Sequence, residues 1–212
     1  MSLIVDAFNI LIERIDWFGQ LTLKHLSISM TAIAIVTIIG IPIGVLISGR
    51  RVLSAVVMSV VNVVYTIPSI ALFGFLVAIT GVGDRSAVIA IVIYGFLPII
   101  RNTLAGIQNV DGGVLKTATA MGSTKWQLLY KIEMPLALPI IFSGFRSMVV
   151  MVIAMTGIAS FIGAGGLGVA IWRGITTYKA ELTLAGSFLV ALLAIVADLL
   201  LGFAEKALKK NR

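Results

Sequence analysis

Five apolar runs, each long enough to cross a lipid bilayer as a helix, leave this 212-residue chain little choice of fold. A helix rises about 1.5 Å per residue and a hydrocarbon core is about 30 Å thick, so a crossing needs roughly 20 apolar residues. The runs at 21–47, 52–79, 87–107, 136–162 and 181–203 meet that length. They are continuously apolar rather than alternating, and lipid forces backbone polar groups to pair within their own segment. Helices are therefore predicted and barrel strands are not. The expected architecture is an all-α integral membrane protein of one domain. Only 12% of the residues are charged, against about 25% in soluble domains.

The charges that remain act as a topogenic signal. Lys and Arg number 16 against 9 Asp and Glu, an excess that in a soluble protein would suggest nucleic acid. Here the basic residues sit between the runs, and no nucleic-acid partner is expected. With the N-terminus outside, the inner segments hold Arg50, Arg51, Arg101, Lys116, Lys125, Lys131 and four basic residues after Phe203. The outer segments hold Arg14, Lys24, Arg85, Arg173 and Lys179. That asymmetry orients the chain N-out and C-in.

Before the first run, Ile4, Phe8, Leu11, Ile12, Ile15 and Phe18 recur at helical spacing against polar residues. An amphipathic helix on the membrane surface is predicted for 1–19, followed by a membrane domain over 20–203 and a basic cytoplasmic tail over 204–212. Gly40 and Gly44 form a close-packing pair around Pro42, and prolines at 68, 98, 135 and 139 mark interruptions or starts. The chain lacks Cys and has one His, so no metal site is expected. That histidine, His25, is read as interfacial.

Residues 108–135 form the one long cytoplasmic connection, and a connection of that length in a compact domain is usually functional. Short helices broken near Gly122 are predicted within it. The stretch KTATAMGSTKWQLLYKIEMPLALP, from Lys116 to Pro139, resembles the cytoplasmic EAA loop of the transmembrane subunits of type I ABC importers. Thr117 and Ala118 stand at its two alanine positions, Gly122 at its glycine, and Pro135 follows thirteen residues later with Ile132 three before it. Lys116 replaces the usual glutamate and inverts its charge, so no ion-pair role is carried over to it. The runs TIPSIALFGF (66–75), YGFLPIIRNT (94–103) and FIGAGGLG (161–168) are similar to those of permeases for glycine betaine, carnitine or choline.

The resemblance implies a type I ABC importer transmembrane domain with a cytoplasmic coupling helix, in a bacterial cytoplasmic (inner) membrane. It implies cytoplasmic ATPase subunits that carry ATP and Mg, a second permease copy or paralogue, and an extracytoplasmic substrate-binding protein. Surrounding lipid is the remaining partner. The chain itself is expected not to be an enzyme and to hold no cofactor, since it has no phosphate-binding GxxxxGK[ST] loop. Trp126 and Leu129 are expected to anchor the loop in its partner. An importer of methionine or another small solute shares the plan, and an ion-driven secondary transporter is the rival from another class.

Three further constellations stand out. Arg146 and Asp198 lie inside spans, where a charge is costly unless paired or wetted, so they are expected to pair or to line a watery pathway, or else to reach the headgroups separately. Tyr65, Phe73 and Tyr94 offer aromatic faces to a quaternary ammonium along a path. Gly163, Gly165, Gly166 and Gly168 predict a tight outer turn. A dinucleotide fingerprint would need a preceding strand, which this membrane context excludes.

Overall fold

A computed structural model describes residues 3–210, with side chains through residue 208. Among these residues every regular element is a helix. In chain order they are α1 (Leu3–Glu13), α2 (Ile15–Ser48), α3 (Arg51–Thr66), α4 (Ser69–Thr80), α5 (Asp84–Gln108), α6 (Gly112–Ala120), α7 (Lys125–Leu128), α8 (Met134–Ala159), α9 (Gly168–Thr176) and α10 (Ala180–Lys210). A π-helical turn, Leu129–Glu133, joins α7 to α8, so 125–162 is one continuous helical rod ending in a 3₁₀ turn.

The most buried helix is α5, which lies between α2 and α8. The sequence permits this through small residues at the crossings. Gly40 and Gly44 of α2 face Ile99 and Thr103, Gly95 of α5 faces Val36, and Gly144 of α8 faces Asn102. Without a hydrophobic drive between helices in lipid, such close backbone approach supplies the packing. The core is mostly branched aliphatic, with Ile91, Ile99, Ile100, Val36 and Val152 fully enclosed alongside Phe73 and Met148.

Four helices have the length and hydropathy of a span, and α3 with α4 makes a fifth only as a pair bent by 95°. A single continuous crossing over 52–79 is thus corrected to two half-helices. Pro68 disfavours helical geometry at the residue before it, and Ile67 is extended. The Tyr94 hydroxyl donates to the freed Ile67 carbonyl, which would otherwise be an orphan at a helix end. By contrast, α2, α5 and α8 continue through Pro42, Pro98 and Pro139.

The ends also differ from expectation. The N-terminal helix stops at Glu13, and residues 15–19 already belong to α2. Helix α1 packs on the outer end of α10, with Ala7 buried and Phe8 edge-on to Phe188 at 5.7 Å. The tail expected over 204–212 continues α10 as far as Lys210, because Glu205 turns inward rather than into solvent. An unforeseen helix, α9, fills the outer connection and packs on α10.

Candidate functional site

The cytoplasmic loop is folded by its own sequence. Asp111 caps α6 by accepting from the Gly113 N–H. At the other end, Ser123 N–H donates to the Ala118 carbonyl (3.1 Å) and Gly122 N–H to that of Thr119 (2.9 Å). This Schellman ending needs a left-handed residue just past the helix, and Gly122 supplies it at φ +89°. Thr124 then opens α7 with a capping box: its hydroxyl accepts from Gln127 N–H, and the Gln127 side chain accepts from Thr124 N–H.

This turn presents α6 almost entirely to solvent. Lys116 and Thr117 are not buried, and within the helix only Ala118 is. The Thr117 hydroxyl is returned to the Gly113 carbonyl of its own helix. Trp126 is 68% exposed and stacks on Tyr130 with ring centroids 5.7 Å apart. Pro135 lies open at the surface, and Leu129 and Ile132 are half-buried. The geometry is a short, rigid, outward helix at the end of a long rod. Such an element can transmit a push.

The intramembrane charges come together. Arg146 donates from Nε and Nη2 to the two Asp198 carboxylate oxygens at 2.6 and 2.7 Å, a bidentate fork. It also donates from Nη1 to Glu205 at 3.0 Å. Gly202 leaves space for this, since a Cβ there would stand 3.1 Å from the guanidinium carbon. Glu205 escapes the sequence reading because it falls in the stretch assigned to the tail. Its spacing of seven residues from Asp198 places both on one helix face, which is the signal that identifies it.

The three aromatics part company. Phe73 is fully enclosed in the core. Tyr94 is buried and held by Ile67, whereas Tyr65, edge-on to it at 5.5 Å, keeps an exposed face. The glycine-rich turn adopts the backbone its residues suggest: Gly163, Gly165 and Gly166 have φ of +80°, +83° and +79°. Gly168 serves packing, for a Cβ there would overlap the Gly157 carbonyl and the Ser160 hydroxyl. Overpacking costs about 1–3 kcal/mol, and each kcal/mol shifts melting by about 2–4 °C at this chain length. Gly168→Ala should therefore melt roughly 5 °C lower in detergent, and an unchanged melting curve would show that α9 adjusts freely.

His25, expected at the interface, is instead fully buried. Its Nε2–H donates to the Ile153 carbonyl at 3.0 Å, beside a Ser29 to Thr156 hydroxyl bond of 3.0 Å. The reason is tertiary: Gly166 lets the outer turn close over the ring. No sequence periodicity announces that contact. Lys24 next to it forms an ion pair with Asp84, joining the outer ends of α2 and α5.

Residues 37–210 match the family described as binding-protein-dependent transport system inner membrane component. A carnitine transport permease protein, OpuCD, of Listeria monocytogenes is 42% identical, over 89% of this chain and 86% of its own length. The OpuCD permease of the glycine betaine/carnitine/choline transport system of Bacillus subtilis is 41% identical, over 87% of this chain and 81% of its own. Among solved structures, the inward-facing MetNI methionine ABC transporter superposes with a TM-score of 0.82 at 22% identity, covering 92% of this chain and 98% of that one.

Proposed function

The chain belongs to the family of binding-protein-dependent transport system inner membrane components, and from that premise we propose that it forms the pathway for a quaternary-ammonium osmoprotectant of the glycine betaine, carnitine and choline class. It is a multi-pass permease subunit of an ATP-driven importer, seated in the inner membrane. One observation carries the choice of solute. Identity of 41–42% runs along nearly the whole chain to permeases named for these compounds, while the methionine permease shares the fold at 22%.

In this reading a cytoplasmic ATPase subunit receives α6 and the Gly122 turn, and binds the ATP and Mg that drive transport. A second permease copy or paralogue completes the pathway. An extracytoplasmic binding protein delivers the solute and supplies much of the selectivity. Closure of the ATPases moves the loop, the α7–α8 rod moves with it, and the outer turn that caps the rod opens.

The test is uptake into vesicles reconstituted with the permease, its ATPase and its binding protein. Glycine betaine or carnitine should accumulate only with ATP. Uptake that survives ATP withdrawal would establish an ion-driven transporter instead, and accumulation of methionine in preference would overturn the solute class. Tyr65 offers a finer check, since a cation over an aromatic face gains about 0.5–2 kcal/mol, or roughly 3- to 30-fold. Tyr65→Leu should lower uptake within that range and Tyr65→Phe should not.

A further inference from the structure

Between the cytoplasmic end of α2 and the α7–π segment lies an open groove of about 640 Å³. Its wall is mostly apolar, from Ile41, Val45, Leu46, Leu129 and Met134. The exposed Trp126–Tyr130 stack stands along one side. Exposed Arg50 and Lys125 bring positive charge to it from two different elements, and Glu133 brings one carboxylate. The positive-inside count puts this groove at the cytoplasmic headgroup level.

We infer that this groove binds one anionic glycerophospholipid of the cytoplasmic leaflet, with an acyl chain against the apolar wall and the phosphate between Arg50 and Lys125. Three features fit that occupant together. Basic residues between helices on the cytoplasmic side attract anionic headgroups. Trp and Tyr settle where one edge is wet and the other apolar. Leu46 is exposed at the mouth, where a soluble anion would gain nothing from it.

The site has a consequence for coupling. Its walls are α2, which belongs to the membrane core, and the π turn that joins the loop to α8. A lipid seated there bridges the moving loop and the static helix, and its departure or arrival changes the stiffness of that joint. Binding of the lipid depends on the cytoplasmic placement of the loop and not on docking of the ATPase.

Phosphatidylglycerol with brominated acyl chains is the probe, and Trp126 the reporter, in full-length permease carrying Trp17→Phe and Trp172→Phe. In phosphatidylcholine vesicles, brominated phosphatidylglycerol should quench Trp126 with about tenfold greater apparent affinity than brominated phosphatidylcholine. Arg50→Gln with Lys125→Gln should erase that preference, and Lys131→Gln should keep it. High salt should shrink it. Equal quenching by the two lipids, or a preference that survives the double variant, overturns the inference. Displacement by inorganic phosphate beyond that produced by sodium chloride of equal ionic strength assigns the cations to a soluble anion and overturns the lipid. Complete displacement by the ATPase subunit gives the groove to that protein and overturns the lipid equally.

Discussion

Replacing Gly122 with valine is expected to lower ATP-driven uptake by about tenfold or more while leaving the amount of protein in the membrane nearly unchanged. The two halves of that statement have different causes. A Cβ at residue 122 meets no atom within 4 Å, so nothing is overpacked and the spans assemble as before. The backbone, however, sits at φ +89°, where a β-branched residue is an outlier and strain of about 1–3 kcal/mol accumulates. The cheapest release is to undo the Schellman ending, freeing the Thr119 and Ala118 carbonyls and swinging α6 relative to α7. An importer whose loop no longer meets its ATPase at a fixed angle loses coupling before it loses stability. Co-purification of the ATPase together with uptake decides the matter. A valine variant that keeps both would remove the loop from the mechanism.

The second large effect concerns the charges between α8 and α10. Arg146→Met leaves Asp198 and Glu205 facing one another without their shared donor, and removal of one partner from a shielded ion pair is far more damaging than removal of all. The expected result is a severe loss of folded protein in the membrane, on the order of tenfold. Adding Asp198→Asn alone should restore less than the triple variant, because Glu205, with a side chain only 10% exposed, has still lost its bond from Arg146. Adding Glu205→Gln as well should restore most of it. If Asp198→Asn alone gives full recovery, the third charge is a bystander. A simple swap of Arg146 and Asp198 is expected to rescue poorly for the same reason, since the new acidic residue at 146 would oppose Glu205.

How much of this was legible depended on the range of the interaction involved. The spans were readable because hydrophobic length is local, and the loop because Asp111, Gly122, Thr124 and Gln127 specify caps and a turn within a few residues of themselves. Arg146 and Asp198 were readable as anomalies in lipid, but whether they pair, line a watery pathway or reach the headgroups separately depends on how α8 and α10 pack. The break at Ile67–Pro68 was half legible: proline marks the place, but the 95° bend depends on Tyr94 arriving from another helix to satisfy the exposed carbonyl. Burial of His25 and enclosure of Phe73 were not legible at all, because the first follows from where α8 and the outer turn come to rest and the second from the packing of α4 on α5. Helix α9 was hidden because its nine residues follow a run of glycines that reads as loop. Glu205 was lost through a boundary drawn too early, although its spacing gave it away.

The π turn at Leu129–Glu133 has a mechanical meaning beyond its place in the chain. From Lys125 to Ile162 the helix is continuous, about 57 Å at 1.5 Å per residue, so a displacement at the cytoplasmic tip reaches the far side of the membrane as a lever stroke rather than through a succession of hinges. A π turn holds one residue more than the helix on either side requires. If that residue is released into regular winding, the loop turns by about 100° about the rod and advances about 1.5 Å. The segment thus has the geometry of a ratchet tooth, in which a click from π to regular winding would move the loop with no bending of the rod.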